Sequence, residues 1–269
     1  MKIIKTANKI TSELLNKKKI GFIPTMGCLH DGHVSLIQKS KKKKLLTVVS
    51  IFVNPLQFNN KNDFKKYPKT ILADLNICKK NKVDYVYLPS KKDIYPERKI
   101  IIRNKIHFFK NYMEGKFRPG HFEGVIEVVK RLLNHVKTNY LFLGKKDYQQ
   151  LIIIKKYLRS INSKIKVIAC DTIRARNGVA LSSRNKLLDQ NSLKIAGKII
   201  NFLKKNKNHI IKSKNNSFFI KKIKFFGAKK VDYLSAFNLK KLKKTNKPSL
   251  NTRVFLAYHL SGVRLIDNF

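Results

Sequence analysis

Two histidines, His30 and His33, stand three residues apart in PTMGCLHDGH (24–33), with Asp31 and Gly32 between them. Three uses compete for such a pair. Metal ligation needs a third and fourth ligand, and no further His, Cys or carboxylate stands nearby at ligand spacing, so no metal site is expected. A core role fits poorly in a run as polar and tight as HDGH. Phosphate handling fits best. Gly27 and Gly32 let backbone amides approach an anion closely. The histidines fall at the start of a helical pattern, where the macrodipole favours negative charge. Imidazoles there can donate to phosphate oxygens as charge develops on a departing pyrophosphate. The run is not a Walker A loop, and no G-x-G-x-x-G fingerprint occurs. Further along, ALSSRN (180–185) offers the hydroxyls of Ser182 and Ser183 and the planar fork of Arg184, a second set of phosphate-binding groups.

The elements that must hold these residues alternate in type. KIGFIPTM (19–26) reads as a buried strand, and HVSLIQKSKKK (33–43) as the helix after the histidines. LLTVVSIFVN (45–54) is continuous and β-branched, as in a strand covered on both faces. Helix KTILADLNICKKN (69–81) precedes strand VDYVYLP (83–89). FEGVIEVVKRLLNHV (122–136) is helical, NYLFLG (139–144) a strand, DYQQLIIIKKYLRSI (147–161) a helix and KIKVIAC (164–170) a strand. Such alternation predicts an α/β fold, a Rossmann-like parallel sheet with right-handed crossovers and ligands beyond the carboxyl ends of its strands. TMGCLHDGH and NPLQF fall at such ends. After Asp171 the texture changes to a Lys-rich helical stretch (about 187–226) and two strand-like runs, VDYLSAF (231–237) and RVFLAYHL (253–260). The expected division is a Rossmann-like domain over 1–172 and a smaller α+β C-terminal domain over 173–269.

Composition narrows the function classes. The chain has 269 residues and a formal net charge of +45, which invites a polyanionic partner. Yet of 60 basic residues only ten are Arg, the residue that base-reading surfaces favour, and the lysines are scattered along the chain. This reads as drift toward Lys, Asn and Ile, without a dedicated nucleic-acid surface. Four of the arginines (Arg118, Arg174, Arg176 and Arg184) fall in two segments that read as binding loops, a clustering better explained by a site than by chance. Three well-separated cysteines exclude a CxxC zinc site or a disulfide framework. No apolar window is long enough for a membrane span, and the first residues carry no signal-peptide pattern. A cytoplasmic protein is expected.

An HxGH element after the first strand is similar to that of a superfamily of nucleotidyl-transferring enzymes, which also carry a phosphate-clamping loop of the kind ALSSRN provides. The similarity narrows further. PTMGCLHDGH (24–33), SIFVNPLQF (50–58), YP (67–68), EGKFRPGHFEGV (114–125), LGKKDYQQL (143–151), RARNGVALSSRN (174–185) and RLIDN (264–268) occur in the order and approximate spacing of the pantothenate synthetase (pantoate–β-alanine ligase) family, and the chain resembles that family over nearly its full length. The resemblance implies ATP-dependent, AMP-forming ligation of pantoate and β-alanine through a pantoyl adenylate, with Mg2+ bound to ATP, in a homodimer. It further implies an ATP site of Thr25, Met26, Gly27, Cys28, Leu29, His30, Asp31, Gly32, His33, Gly144, Lys145, Lys146, Asp147, Ile173, Leu181, Ser182, Ser183 and Arg184. His30, His33, Lys146 and Arg184 would act in catalysis, with His33 the proton donor. Asp147 would hold the ribose, and Ile173 would flank the adenine. Met26, Asn54, Gln57, Tyr67 and Gln150 would line the pantoate and β-alanine side. RPGHF (118–122) would be a flexible flap with His121 a lesser candidate, and the second domain would close over the ATP site.

Where the family usually has Glu, Arg and Asp, this chain has Lys145, Lys69 and Asn177. Two rival functions remain. Another HxGH nucleotidyltransferase would want basic contacts to a phosphorylated acceptor, where this chain has neutral Gln57 and Gln150. A non-enzymatic RNA-binding protein would want aromatic residues interleaved with basic ones, and Trp is absent.

Overall fold

The computed structural model describes residues 1–97, 111–241 and 243–269. The chain divides into two compact units, Met1–Thr172 and Ile173–Phe269.

In the first unit, among the described residues, six strands form one sheet: β1 (Lys2–Ile4), β2 (Ile20–Thr25), β3 (Leu46–Ile51), β4 (Tyr85–Tyr87), β5 (Tyr140–Gly144) and β6 (Lys166–Cys170). Every pairing is parallel, in the order β1-β4-β3-β2-β5-β6. From β2 the chain lays β3 and then β4 on one side. It then returns to lay β5 and β6 on the other. The point of reversal between β2 and β5 is where crevices open in sheets of this kind.

Among the described residues, eight helices serve this sheet: α1 (Ala7–Leu14), α2 (Asp31–Lys42), α3 (Lys61–Lys66), α4 (Ile71–Lys80), α5 (Lys91–Ile94), α6 (Met113–Phe117), α7 (His121–His135) and α8 (Tyr148–Ser160). The central strands β2–β5 are mostly apolar because both faces are covered. Phe22, Val48, Tyr85, Tyr87 and Leu141 join a core with Ile10 and Leu14 of α1, Val125 and Leu132 of α7, and Leu151 and Leu158 of α8. The alternating neighbours Ile23, Val49, Val86 and Phe142 join a separate core with Leu36 and Ile37 of α2 and Cys78 of α4. The strand expected to run to residue 54 stops at Ile51. Asn54 and Pro55 open a 3-10 turn, Pro55–Gln57, in which proline occupies a position that needs no amide donor.

The second unit carries helices α9 (Gln190–Lys205), α10 (Lys207–Lys212) and α11 (Ser217–Phe225), and strands β7 (Lys230–Asn238), β8 (Lys243–Lys244), β9 (Thr252–Leu260) and β10 (Val263–Asn268). The strands pair antiparallel in the order β10-β9-β7-β8. RLIDN thus lies within a strand, β10. The core joins Ile199, Ile200, Leu203, Ile211 and Ile223 to Leu234, Val254, Leu256 and Tyr258.

Arg174 fastens the loop that follows Ile173. Its guanidinium grips the buried Asp267 carboxylate at 2.7 and 2.8 Å and also donates to the carbonyls of Gly178 and Asn268. Asn177, where the family usually has Asp, donates its amide to the Leu193 carbonyl at 2.9 Å while its oxygen accepts from Val179 N–H. A carboxylate there has no N–H to give. No helix among the described residues is long and apolar enough to cross a membrane.

Removing one partner of a buried ion pair strands the other charge and costs about 3 kcal/mol or more. Arg174→Ala is therefore expected to lower unfolding stability by about 3 kcal/mol in urea titrations, and Arg174→Lys to recover only part of it, because lysine lacks the fork. A loss below about 1 kcal/mol for the alanine variant contradicts this account of the clasp.

Candidate active site

Because β3, β2 and β5 are neighbours and parallel, their carboxyl ends bring three polar segments to one edge of the sheet, with adjacent strands about 4.8 Å apart. After β2 comes Met26–His33, after β3 the Pro55–Gln57 turn, and after β5 Lys145–Asp147.

The first segment turns through two left-handed residues, Gly27 (φ 78°) and Cys28 (φ 51°). Cys28 and Leu29 are buried, and Leu29 joins the α2 face of the core. Met26 and Gly32 are half-buried, and Asp31 is exposed in the first turn of α2. The amides have internal acceptors. Gly27 N–H donates to Thr25 Oγ1, Cys28 and Leu29 N–H to Asp74, His30 N–H to His33 Nδ1, Gly32 N–H to His30 Nδ1 and His33 N–H to the His30 carbonyl. This corrects the expectation that these amides are open to an anion: they already donate within the fold.

The same bonds set the imidazole tautomers. A backbone N–H can only donate, so Nδ1 of each ring is an acceptor, and in a neutral ring the proton sits on Nε2. The rings lie 4.2 Å apart. Burial pushes the His33 ring down to about 3, helped by the His30 ring and Lys146 and opposed by Asp147. His33 is therefore neutral at pH 7, although part of its side chain is still open to solvent. The charges of Lys146 and Asp147 thus reach His33. The two residues pair with each other at 3.1 Å. Lys145 pairs with Asp171 at 2.5 Å, and Gly144 ends β5 half-buried.

The turn after β3 is clamped. Asn54 is 1% exposed, and its carboxamide donates to the Gly124 carbonyl and accepts from Leu56 N–H and from Tyr95 Oη at 2.8 Å. Its polar atoms are engaged in holding the turn, a different task from the substrate contact the resemblance implies. Gly124 lets α7 come against the turn, since a Cβ there would collide with the Leu56 carbonyl. The Gln57 carbonyl accepts from Arg118 Nη2 and from His121 Nδ1, each at 2.8 Å, and Arg118 pairs with Glu114. RPGHF is thus pinned to the turn at both ends, where a loose flap was expected. The Gln57 side chain is 7% exposed, and its carboxamide has no hydrogen-bond partner among the described residues. Gln150 on α8 is half-buried and likewise without a side-chain partner among them. Its neighbour Gln149 is buried and structural, accepting from Glu114 N–H and donating to the Tyr112 carbonyl. Tyr67 is buried edge-on to Phe58. Lys69, for the family's Arg, lies over the Phe64 ring.

In the second unit the Ile173 carbonyl accepts from Leu181 N–H, Ser182 caps the turn Ser183–Leu187, Ser183 is buried, and Arg184 is half-buried. Two of the four clustered arginines, Arg118 and Arg174, are ion-paired within the framework. Their clustering therefore reflects structure as well as any site. Sequence reasoning missed Asp74, Tyr95 and Gln149. Their partners lie 46, 41 and 35 residues away, and no local pattern signals such bonds.

A family model for pantoate-beta-alanine ligase matches residues 1–269. The chain belongs to the pantoate–β-alanine ligase family. It is an enzyme, and its activity is the family's ligation of pantoate to β-alanine. The pantothenate synthetase of Francisella tularensis subsp. novicida is 43% identical over 267 residues, 99% of this chain and 95% of the relative. The crystal structure of the Francisella tularensis pantoate-beta-alanine ligase, complexed with beta-gamma ATP and beta-alanine, is 41% identical with a TM-score of 0.87, and the match covers 100% of this chain and 97% of that one. A Thermus thermophilus pantothenate synthetase structure is 29% identical with a TM-score of 0.90, covering 100% and 99%.

His121, under Gln57, is also held down to about 3, by burial first and then by Arg118, against Glu114, the Gln57 carbonyl and Asp147. An unfolded histidine takes up its proton near pH 6.5, while the folded ring refuses it until about pH 3. Stability from this group is therefore full above about pH 6.5 and falls as the pH drops below it. Between about pH 6.5 and 5, His121→Gln is expected to flatten the fall by at most about 1.4 kcal/mol per pH unit. Denaturant titrations at about pH 7, 6 and 5 measure this, and an unchanged slope contradicts a neutral His121.

Proposed function

We propose that the segments after β2, β3 and β5 form the catalytic face of the ligase, and that the chain works on ATP in two steps. A carboxylate oxygen of pantoate attacks the α-phosphorus of ATP. A new O–P bond forms as the bond to the pyrophosphate oxygen breaks, leaving pantoyl adenylate. The amine of β-alanine then attacks the acyl carbon, and AMP departs with the bonding pair. Adenylation is needed because a free carboxylate is a poor acyl donor.

The observation that carries this reading is a neutral imidazole at the start of α2, within electrostatic reach of Lys146 and Asp147. The Nε2–H of neutral His33 donates to phosphate oxygens without titrating at working pH, and the His30 ring beside it donates likewise, stabilising charge as it develops. The family's proposed proton donor, His33, acts here as a hydrogen-bond donor. Lys146 supplies positive charge to the phosphates and Asp147 accepts from the ribose hydroxyls. Thr25, Met26, Gly27, Cys28, Leu29, Asp31 and Gly32 shape the loop, and Gly144 and Lys145 the approach to Lys146. Gln57 and Gln150 hold pantoate: their open carboxamides both donate and accept, as hydroxyls and a carboxylate require. Tyr67 lines this side, and Asn54 acts through the turn it holds. From the second unit, Ile173 and Leu181 flank the base, and Ser182, Ser183 and Arg184 contribute to phosphate binding.

Support for ATP and β-alanine as substrates also comes from the Francisella relative. Mg2+ belongs to the nucleotide in this reading, since the described residues gather no cluster of three His, Cys, Asp or Glu side chains for it, and Mg2+ commonly rides on substrate phosphates. When bound it offsets phosphate charge. A homodimer in the cytoplasm completes the proposal.

In a mixture of ATP, pantoate and β-alanine, AMP is expected to form only when both co-substrates are present. Pyrophosphate release that ignores pantoate would favour another HxGH nucleotidyltransferase. His33→Ala is expected to slow adenylation by about 10²-fold or more, and Gln57→Ala to raise the KM for pantoate with little change for ATP. Full adenylation by His33→Ala removes His33 from the mechanism.

A further inference from the structure

The turn that delivers His30 to α2 is built from two consecutive left-handed residues, the second of them non-glycine. Its two adjacent amides, Cys28 and Leu29, point into the protein, where only a buried pair of acceptors can serve them. A single side chain does so. Asp74 on α4 is 1% exposed. Its Oδ2 accepts from Cys28 N–H at 2.9 Å, and its Oδ1 accepts from Leu29 N–H at 2.8 Å and from Thr70 Oγ1 at 3.0 Å. The fit is close: a Cβ on Gly27 would lie 3.0 Å from Asp74 Oδ2. The next residue is His30, extended (φ −146°, ψ 174°) and capping α2 through its own ring. The phase at which the chain enters the helix, and so the direction of both imidazoles, follows from where Cys28 and Leu29 are held.

We infer that Asp74 is a positioning residue of the ligase: its carboxylate, by engaging the Cys28 and Leu29 amides, aims the His30 and His33 Nε2–H groups at the nucleotide. This rests on the reading of Met26–His33 as the phosphate-binding segment. A carboxylate is required because both oxygens must accept. In Asp74→Asn the shape is kept, but an amide NH2 replaces one acceptor and meets a backbone N–H donor to donor. One end of the loop is then released.

The test uses the full chain and three measurements: pantoate-dependent pyrophosphate release as a function of ATP and of pantoate, hydrogen exchange in peptides spanning 26–30, and the thermal midpoint. For Asp74→Asn, the KM for ATP is expected to rise about tenfold and kcat to fall, while the KM for pantoate stays within about twofold. Exchange at 26–30 should quicken while peptides of β3 and β5 stay protected. Thr70→Ala, which removes a contact to Asp74 but none to the loop, should stay within about twofold of the parent in both KM values. A merely structural role predicts a lower thermal midpoint with both KM values unchanged or raised together, and that result overturns the inference. If the parent chain releases no pyrophosphate with pantoate, the functional reading fails. The exchange measurement then still decides, since unchanged protection at 26–30 refutes the hold of Asp74 on the loop.

Discussion

Gly27, Cys28 and Leu29 are buried at the carboxyl edge of a parallel sheet, where little water reaches their amides. A buried N–H left without an acceptor costs about as much as a lost hydrogen bond. The fold meets that demand with side chains: Thr25 for Gly27, Asp74 for Cys28 and Leu29, His33 for His30, His30 for Gly32. Two of these acceptors are the imidazoles themselves. Satisfying the backbone therefore fixes which ring nitrogen carries the proton, and burial keeps the His33 ring neutral. The helix start retains its dipole, but what its ring at His33 can offer an anion is an Nε2–H, not a backbone amide. Structural satisfaction and chemical function share the same bonds.

The segment after β3 follows a parallel logic with different parts. The role proposed for Gln57 needs an open carboxamide on an immobile backbone. The backbone is immobilised by groups that never use the Gln57 side chain: Asn54 caps the turn, and Arg118 and His121 converge on the Gln57 carbonyl. Tyr95, with Arg131 stacked on its ring at 5.0 Å, in turn orients Asn54. On α8 the division falls between neighbours, Gln149 bonded into the framework and Gln150 not. Carboxamides left open at this sheet edge suit the ligand contact proposed for them.

The strands and most helices were legible because burial on both faces leaves continuous apolar runs, and the helices show their own period. Phe22 and Ile23, or Val48 and Val49, face opposite cores, as such runs predict. HDGH and the glutamines stood out as site candidates because the residue types carry their own chemistry. What escaped was set by distant partners. Lys2–Ile4 is a strand only because β4 offers it an edge. RLIDN stood out as a motif, and its being a strand follows from pairing with β9. Asp74 carries no signal of its own in the helix pattern 69–81, and nothing within a few residues of it hints at amides 46 positions upstream. Arg174 fell in a segment that read as a binding loop, and its framework partner, Asp267, lies 93 residues away.

The charge imbalance makes sense once the acids are placed. With only 15 acidic residues against 60 basic ones, several acids hold framework positions: Asp74 under the loop, Glu114 with Arg118, Glu127 with Arg131, Asp267 with Arg174, and Asp232 with both Arg264 and His259. No described lysine is buried. The excess positive charge is thus a surface property, carried by solvated ammonium groups at small individual cost, while the pairs inside the framework join carboxylates to arginines. Surface repulsion of this kind is screened within about 10 Å at about 0.1 M salt, whereas the buried pairs are screened far less. The surface can therefore drift toward lysine without disturbing the site, provided the interior acids and their arginine partners stay.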